Sequence, residues 1–270
     1  MIIRKTPEEI EAMAASGAIL ARGLQMLRAK ARPGVTTGDL DAAAERFIRS
    51  QGAEPAFKGY RGFPGSICAS PNSMIVHGIP GSYKLQRGDI LSIDVGVVLN
   101  GWVSDAAITV PIGAVTPIAK RLMETTRAAL FEAVEQARLG NHLGDISHAV
   151  QRRVETDGFS IVRALVGHGV GREMHEDPQI PNYGTPGTGP ELEEGMVLAI
   201  EPMVNAGAEP IRMGSDNWSV YSQDGSLAAH FEHTVAITPD GPRILTPWHL
   251  EEKGSDPDRR SRSTDPGVRV

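Results

Sequence analysis

"GDILSIDVGVVLNGWVSDAAITV", residues 88–110, reads as two β-strands folded about Asn100-Gly101. Asn-Gly is the strongest short hairpin signal, because both residues reach the left-handed backbone that a type I′ turn requires. A two-residue turn sets Leu99 opposite Trp102 and Asp94 opposite Ala107. Asp105 lies two positions from Ala107 and so shares a face with Asp94. Diagonal neighbours of this kind sit roughly 7–8 Å apart between backbones, close enough for both carboxylates to reach one point. In an apolar sheet two such charges repel each other and lose hydration, unless a cation or a proton lies between them. A turn longer by one residue would remove the shared face.

The chain repeats itself on either side of this hairpin. "ARPGVTTGDLDAAAERFIRSQG" (31–52) matches "ARLGNHLGDISHAVQRRVETDG" (137–158) at an offset of 106, and "RGDILSIDVGVV" (87–98) matches "EGMVLAIEPMVN" (194–205) at an offset of 107. The second match lays Asp94 on Glu201. A period this long is not that of a solenoid. It describes two pseudo-symmetric halves, each with helices first and then a strand carrying an acid, meeting at a shared centre.

Helix signals agree with that division. Thr6-Pro7-Glu8-Glu9 supplies an N-cap, a proline at the first helical position and a capping-box Glu, and the apolar spacing from Ile10 to Leu27 carries a helix to about Lys30. Further helices are expected at about 37–51, 117–138 and 144–157, and strands around 65–76, 89–110, 159–166, 195–204 and 230–237. Residues 1–250 form the expected folded domain. The tail "EEKGSDPDRRSRSTDPGVRV" (251–270) is almost free of apolar residues and is expected to be disordered.

The 270 residues are 40% hydrophobic and 22% charged, with net charge −6, which is ordinary for a soluble globular chain and gives no overall bias toward nucleic acid. The single cysteine, Cys68, excludes an intramolecular disulfide and a multi-cysteine zinc site. The start "MIIRKTPEEIEAM" turns acidic where a signal peptide would be apolar, so the cytoplasm is the expected compartment. No apolar run is long enough for a membrane span.

Two further acids interrupt apolar runs, Glu201 in "MVLAIEPMV" and Glu232 in "AAHFEHTVAI". One acid in a strand more often marks an exposed face. Four of them, with histidines beside glycines at His77 ("VHGIP") and at His168 and His175 ("VGHGVGREMHED"), favour a divalent metal site. His142, His148, His230, His233 and His249 have no comparable surroundings and receive no role.

"VHGIP", "GDILSIDVGVVLNGWVSDAAIT", "GHGVGREMHEDP", "EEGMVLAIEPMVNAG", "DNWSV" and "FEHTVAIT", in this order and spacing, closely resemble the methionine aminopeptidases, in the short bacterial (type I) form, over about residues 2–247. The absence of a long insertion between His175 and Glu201 argues against the type II form. The resemblance implies an α/β (α+β) "pita-bread" fold, two halves around a strongly curved antiparallel sheet. It implies two divalent metal ions (Co, Mn, Fe or Zn) held by Asp94, Asp105, His168, Glu201 and Glu232. Glu201 would also be the general base, His175 would stabilise the oxyanion, and His77 would bond the scissile amide. The pocket for the methionine side chain would be lined by Tyr60, Phe63, Cys68 and Trp218, with Phe57 and Met174 beside them. The implied partners are the N-termini of nascent polypeptides, with transient ribosome contact through the basic "RRSR" (259–262). The implied state is a monomer. Two rival readings are an Xaa-Pro aminopeptidase or prolidase on the same fold, which usually carries an extra N-terminal domain, and a metal-free binding protein that kept the fold but lost activity, against which the intact ligands and both histidines count.

Overall fold

A computed structural model describes residues 1–250; the expectations for the tail at 251–270 lie outside the described residues. Asn100 and Gly101 take φ angles of 51° and 76°, and the turn closes the hairpin in the expected register. Along the strands Ile90–Leu99 and Trp102–Pro111, Leu99 pairs with Trp102, Asp94 with Ala107 and Gly96 with Asp105. The other edge of Ile90–Leu99 takes Cys68–Pro71 and the short strand Glu54–Pro55, which completes the first half's sheet. The second half's main sheet has five strands in the order Gly241–Ile244, His233–Thr238, Val197–Ile200, Val166–Gly169, Glu176–Pro181. All of its pairings are antiparallel.

Among the described residues four α-helices accompany the sheets: α1 (Pro7–Lys30), α2 (Thr37–Ser50), α3 (Pro117–Gln136) and α4 (Leu143–Thr156). The repeat read from the sequence is visible in their construction. Asp39 accepts the Thr36 N–H at 3.0 Å at the start of α2, and Asp145 accepts the His142 N–H at 2.7 Å at the start of α4. Gly34 and Gly140, just before these caps, both adopt left-handed backbone, with φ of 91° and 81°. Each N-cap residue also forms an isolated antiparallel bridge, Thr36 with Lys84 and His142 with Glu191. The same local chemistry therefore builds both halves.

Side-chain hydroxyls bolt the halves together. The Thr234 hydroxyl donates to the Asp105 carbonyl at 2.7 Å and accepts the Asp105 N–H at 3.0 Å. The Thr109 hydroxyl does the same for His230, donating to its carbonyl at 2.8 Å and accepting its N–H at 2.9 Å. Between them, the Glu232 N–H donates to the Ala107 carbonyl at 2.9 Å. The strand carrying Asp105 is thereby fixed against the segment carrying Glu232.

Four expected strands are shorter or broken; the 230–237 run is interrupted at Phe231 and Glu232, between Ala228–His230 and His233–Thr238. The 65–76 run splits into Cys68–Pro71 and Met74–Val76 about Asn72, whose φ is 56°. The 195–204 run splits into Val197–Ile200 and Met203–Asn205 at Glu201-Pro202, because proline has no N–H to give a ladder. Of 159–166, Ser160–Ile161 pairs with Met203–Asn205, and Val166 opens the next strand. No helix among the described residues is long and apolar enough to cross a membrane.

Helix α1 lies on the central hairpin. Its buried Ser16 hydroxyl donates to the Val97 carbonyl at 2.9 Å and lies 2.9 Å from the Ser104 hydroxyl. At the next residue, on a neighbouring face of the helix, Gly17 lets the segment after Gly241–Ile244 approach so closely that a Cβ there would lie 2.0 Å from the Leu245 carbonyl oxygen. Gly17→Ala should therefore destabilise the protein by about 1–3 kcal/mol through overpacking, although a solvent-facing helix site would gain ~1 kcal/mol from alanine's propensity. Thermal unfolding of the variant decides between these signs, and an unchanged or raised midpoint would refute the close contact.

Candidate metal centre

Asp94 and Asp105 reach the seam from within the hairpin ladder, whereas Glu201 and Glu232 reach it from breaks between strands. Glu201 follows Val197–Ile200, and Glu232 stands between Ala228–His230 and His233–Thr238. His168, on Val166–Gly169, is turned by its Nδ1, which lies 2.9 Å from the Gly169 carbonyl. A carbonyl only accepts, so Nδ1 carries the proton and Nε2 keeps its lone pair. Nε2 lies 3.6 Å from Glu201 Oε1 and 3.8 Å from Asp105 Oδ2. One donor atom each from Asp105, His168 and Glu232 lies within 4.8 Å of the others.

Burial dominates the electrostatics. It pushes the Asp105 carboxyl up to about 7. Burial, reinforced by the Asp105 charge, raises Asp94 and Glu201 well above the carboxylate range, and Glu232 with them through all three neighbours. Burial holds His168 and His77 below the ordinary imidazole value. Among the described residues, Asp94 Oδ1, Asp105 Oδ1 and Glu232 Oε1 are buried without a hydrogen-bond partner. Orphaned carboxylate oxygens converging with an imidazole lone pair fit divalent cations, which satisfy such oxygens and offset the repulsion.

A cavity of about 180 Å³ opens onto these acids. All the residues expected from the sequence line it: Asp94, Asp105, His168, Glu201 and Glu232 with His77 and His175, and Tyr60, Phe63, Cys68 and Trp218 with Phe57 and Met174. Tyr60 Oη lies 2.9 Å from His175 Nδ1 and its ring stacks on the imidazole at 5.5 Å. With Tyr60 donating, the His175 proton sits on Nε2. Burial, helped by the neighbouring His168 and by Arg61 and His77, brings His175 down to about 4. His77 takes a φ of 59°, a strained conformation for a non-glycine residue that aims a ring where the chain turns. The Phe63 ring meets Trp218 edge-on at 5.1 Å, and Asp216 fixes Trp218 by accepting its backbone N–H at 2.9 Å. Cys68 pairs with Asp94, and burial together with the Asp94 charge keeps its thiol protonated.

Two residues that the sequence did not single out belong to this region. Arg61 lines the cavity with its guanidinium 5.3 Å from the Tyr60 ring centre. His230, given no role from sequence, is buried with Nε2 3.4 Å from Glu201 Oε2, and burial pushes it down to about 3. "GYRGF" offers no signal for Arg61, and an "AAHF" histidine inside a strand is indistinguishable from a packed one.

A two-half fold with buried acids and imidazoles converging at its seam defines a metallopeptidase of the pita-bread class. The profile of metallopeptidase family M24 matches residues 11–239, and the chain belongs to that family. It is 52% identical over 246 residues to a methionine aminopeptidase of Clostridium perfringens, covering 91% of this chain and 99% of that one. The solved structure of a methionine aminopeptidase from Thermotoga maritima superposes with a TM-score of 0.90 at 46% identity, over 91% of this chain and 99% of that one. A prolidase from Pyrococcus furiosus is more distant, with a TM-score of 0.75 and 26% identity over 93% of this chain and 66% of that one.

The charge balance sets a pH signature for metal-free protein. Raised carboxyls mean that the folded chain holds protons the unfolded chain has released, so stability falls as pH rises above their unfolded values of 3.8 and 4.5. The lowered histidines act oppositely, but only below their unfolded value of 6.5. Above about pH 7 only the acids remain. The melting temperature of metal-free protein should therefore be lower at pH 8.5 than at pH 7, and saturating Mn²⁺ should abolish the difference. A flat metal-free profile would contradict the buried-acid assignment.

Proposed function

We infer that this chain is a metal-dependent methionine aminopeptidase, which removes the N-terminal methionine from nascent proteins and peptides and prefers a small second residue. The observation that carries this reading is a single cavity lined both by Asp94, Asp105, His168, Glu201 and Glu232 and by Phe63, Cys68, Met174 and Trp218. Membership of family M24 and the two close methionine aminopeptidase relatives support it. Sulfur and aromatic edges suit a thioether side chain, whose polarisable sulfur gains from such contacts.

Asp94, Asp105, His168, Glu201 and Glu232 would hold two divalent cations. Bound there, the cations lower the pKa of water and polarise the scissile carbonyl. Glu201 takes the proton from the attacking water, a task suited to a carboxylate with a raised proton affinity. His175, kept neutral and oriented by Tyr60, donates from Nε2 to the carbonyl oxygen as negative charge develops. His77 bonds the scissile amide and holds the peptide in line. The enzyme works in the cytoplasm as a monomer, where nascent N-termini emerge. The "RRSR" run, outside the described residues, offers transient contact with ribosomal RNA.

A small peptide panel tests the reading. Met-Ala-Ser should be hydrolysed after its first residue, while N-acetyl-Met-Ala-Ser and Leu- or Lys-initiated analogues resist cleavage. A bulky second residue should slow the reaction. Hydrolysis of Ala-Pro-Ala beside inert Met-Ala-Ser would overturn the assignment in favour of the prolidase-type activity.

A further inference from the structure

We propose that Trp248 is a positioning residue for Glu232, holding the backbone of this acid so that its carboxylate faces the other donors; this rests on the metal-centre reading above. Glu232 lies between two strands and has no ladder partner for either backbone polar group. Its N–H is taken by Ala107 of the opposite half, and its carbonyl accepts the Trp248 indole N–H at 2.9 Å. These two bonds clamp the peptide units on either side of the carboxylate. A buried carbonyl without a partner is destabilising, so removing the indole donor frees Glu232 to rotate toward another one.

The indole is itself held from every side. Its ring stacks on His233 at 4.5 Å with the planes 19° apart, and the Phe231 and Phe131 rings lie at 5.9 and 6.4 Å. The strap that carries it continues the Gly241–Ile244 edge. The Leu245 N–H donates to the Thr234 carbonyl at 2.8 Å, and the Thr246 hydroxyl accepts the Thr234 N–H at 3.1 Å. Helix α1 fixes both ends of the strap, through the Gly17 approach to Leu245 and through Gln25 Nε2, which donates to the Leu250 carbonyl at 2.7 Å. The first helix of one half thus reaches a metal-facing acid of the other half through a tryptophan outside the lining of the acid-bearing cavity.

The test removes the N–H and keeps the ring. Full-length protein is stripped of metal and titrated with Mn²⁺ by calorimetry for the wild type, for Trp248→Phe, and for protein with β-(3-benzothienyl)alanine at position 248, in which sulfur replaces the indole N–H. A positioning role predicts that the isostere binds Mn²⁺ about tenfold more weakly, the usual scale for losing an outer partner of a ligand, whether or not its metal-free melting temperature falls with the lost hydrogen bond. Trp248→Phe should bind at least as weakly. If the isostere binds Mn²⁺ with wild-type affinity, the inference is wrong. This includes the case in which only its melting temperature falls, since that marks a purely structural role. Wild-type protein that binds no Mn²⁺ would instead refute the metal-centre reading itself, so the two failures are separated.

Discussion

Four carboxyl groups share one buried seam, and the rest of the molecule is arranged around making that tolerable. Burying one unpaired carboxylate costs several kcal/mol, and like charges beside it add to the cost. Neither half supplies the cluster alone. Asp94 and Asp105 come from the first hairpin, and His168, Glu201 and Glu232 come from the second half. The hydroxyl bolts of Thr109 and Thr234 and the Glu232–Ala107 bond are therefore as much part of the site as the acids, because they fix the distance between the two contributions. Cation binding and the docking of the halves become one equilibrium, since each favours the same geometry.

The same seam decides what enters. Beyond the acids the cavity turns apolar, and the groups with polar tips there are oriented by protein partners. Tyr60 sets the His175 ring, the Gly169 carbonyl sets His168, and Asp216 sets the loop bearing Trp218. Such outer contacts make the site rigid before a substrate arrives, which lowers the reorganisation demanded during reaction. The strained backbone of His77 fits this pattern, because a position held outside its preferred conformation must be imposed by its surroundings.

Much of this was legible in the sequence wherever the deciding physics was local. Asn100-Gly101 specified the turn, and the turn specified the register that places Asp94 and Asp105 on one face. The internal repeat was legible because capping residues and left-handed glycines recur where each half repeats the same turn. Strand ends were less so: Asn72 and Pro202 interrupt apolar runs whose continuity suggested unbroken strands. Arg61, His230 and Trp248 were not legible at all. Their roles depend on partners such as Tyr60, Glu201 and Glu232 that the fold alone brings near, and no periodicity or spacing encodes such meetings. The family resemblance supplied the four acids and the His168 imidazole as a ligand set, which residue patterns alone support only as a divalent metal site.

Burial favours protons on the seam acids until cations replace them. Titrating metal-free protein with Mn²⁺ at pH 7, in buffers of different ionisation enthalpy, reads the protons released on binding. Burial raises the proton affinity of Asp94, Glu201 and Glu232, so protons should leave the chain as the metal binds. Tight binding with no proton released would contradict the account, because the acids would then already be ionised in the absence of the cations said to make their burial possible.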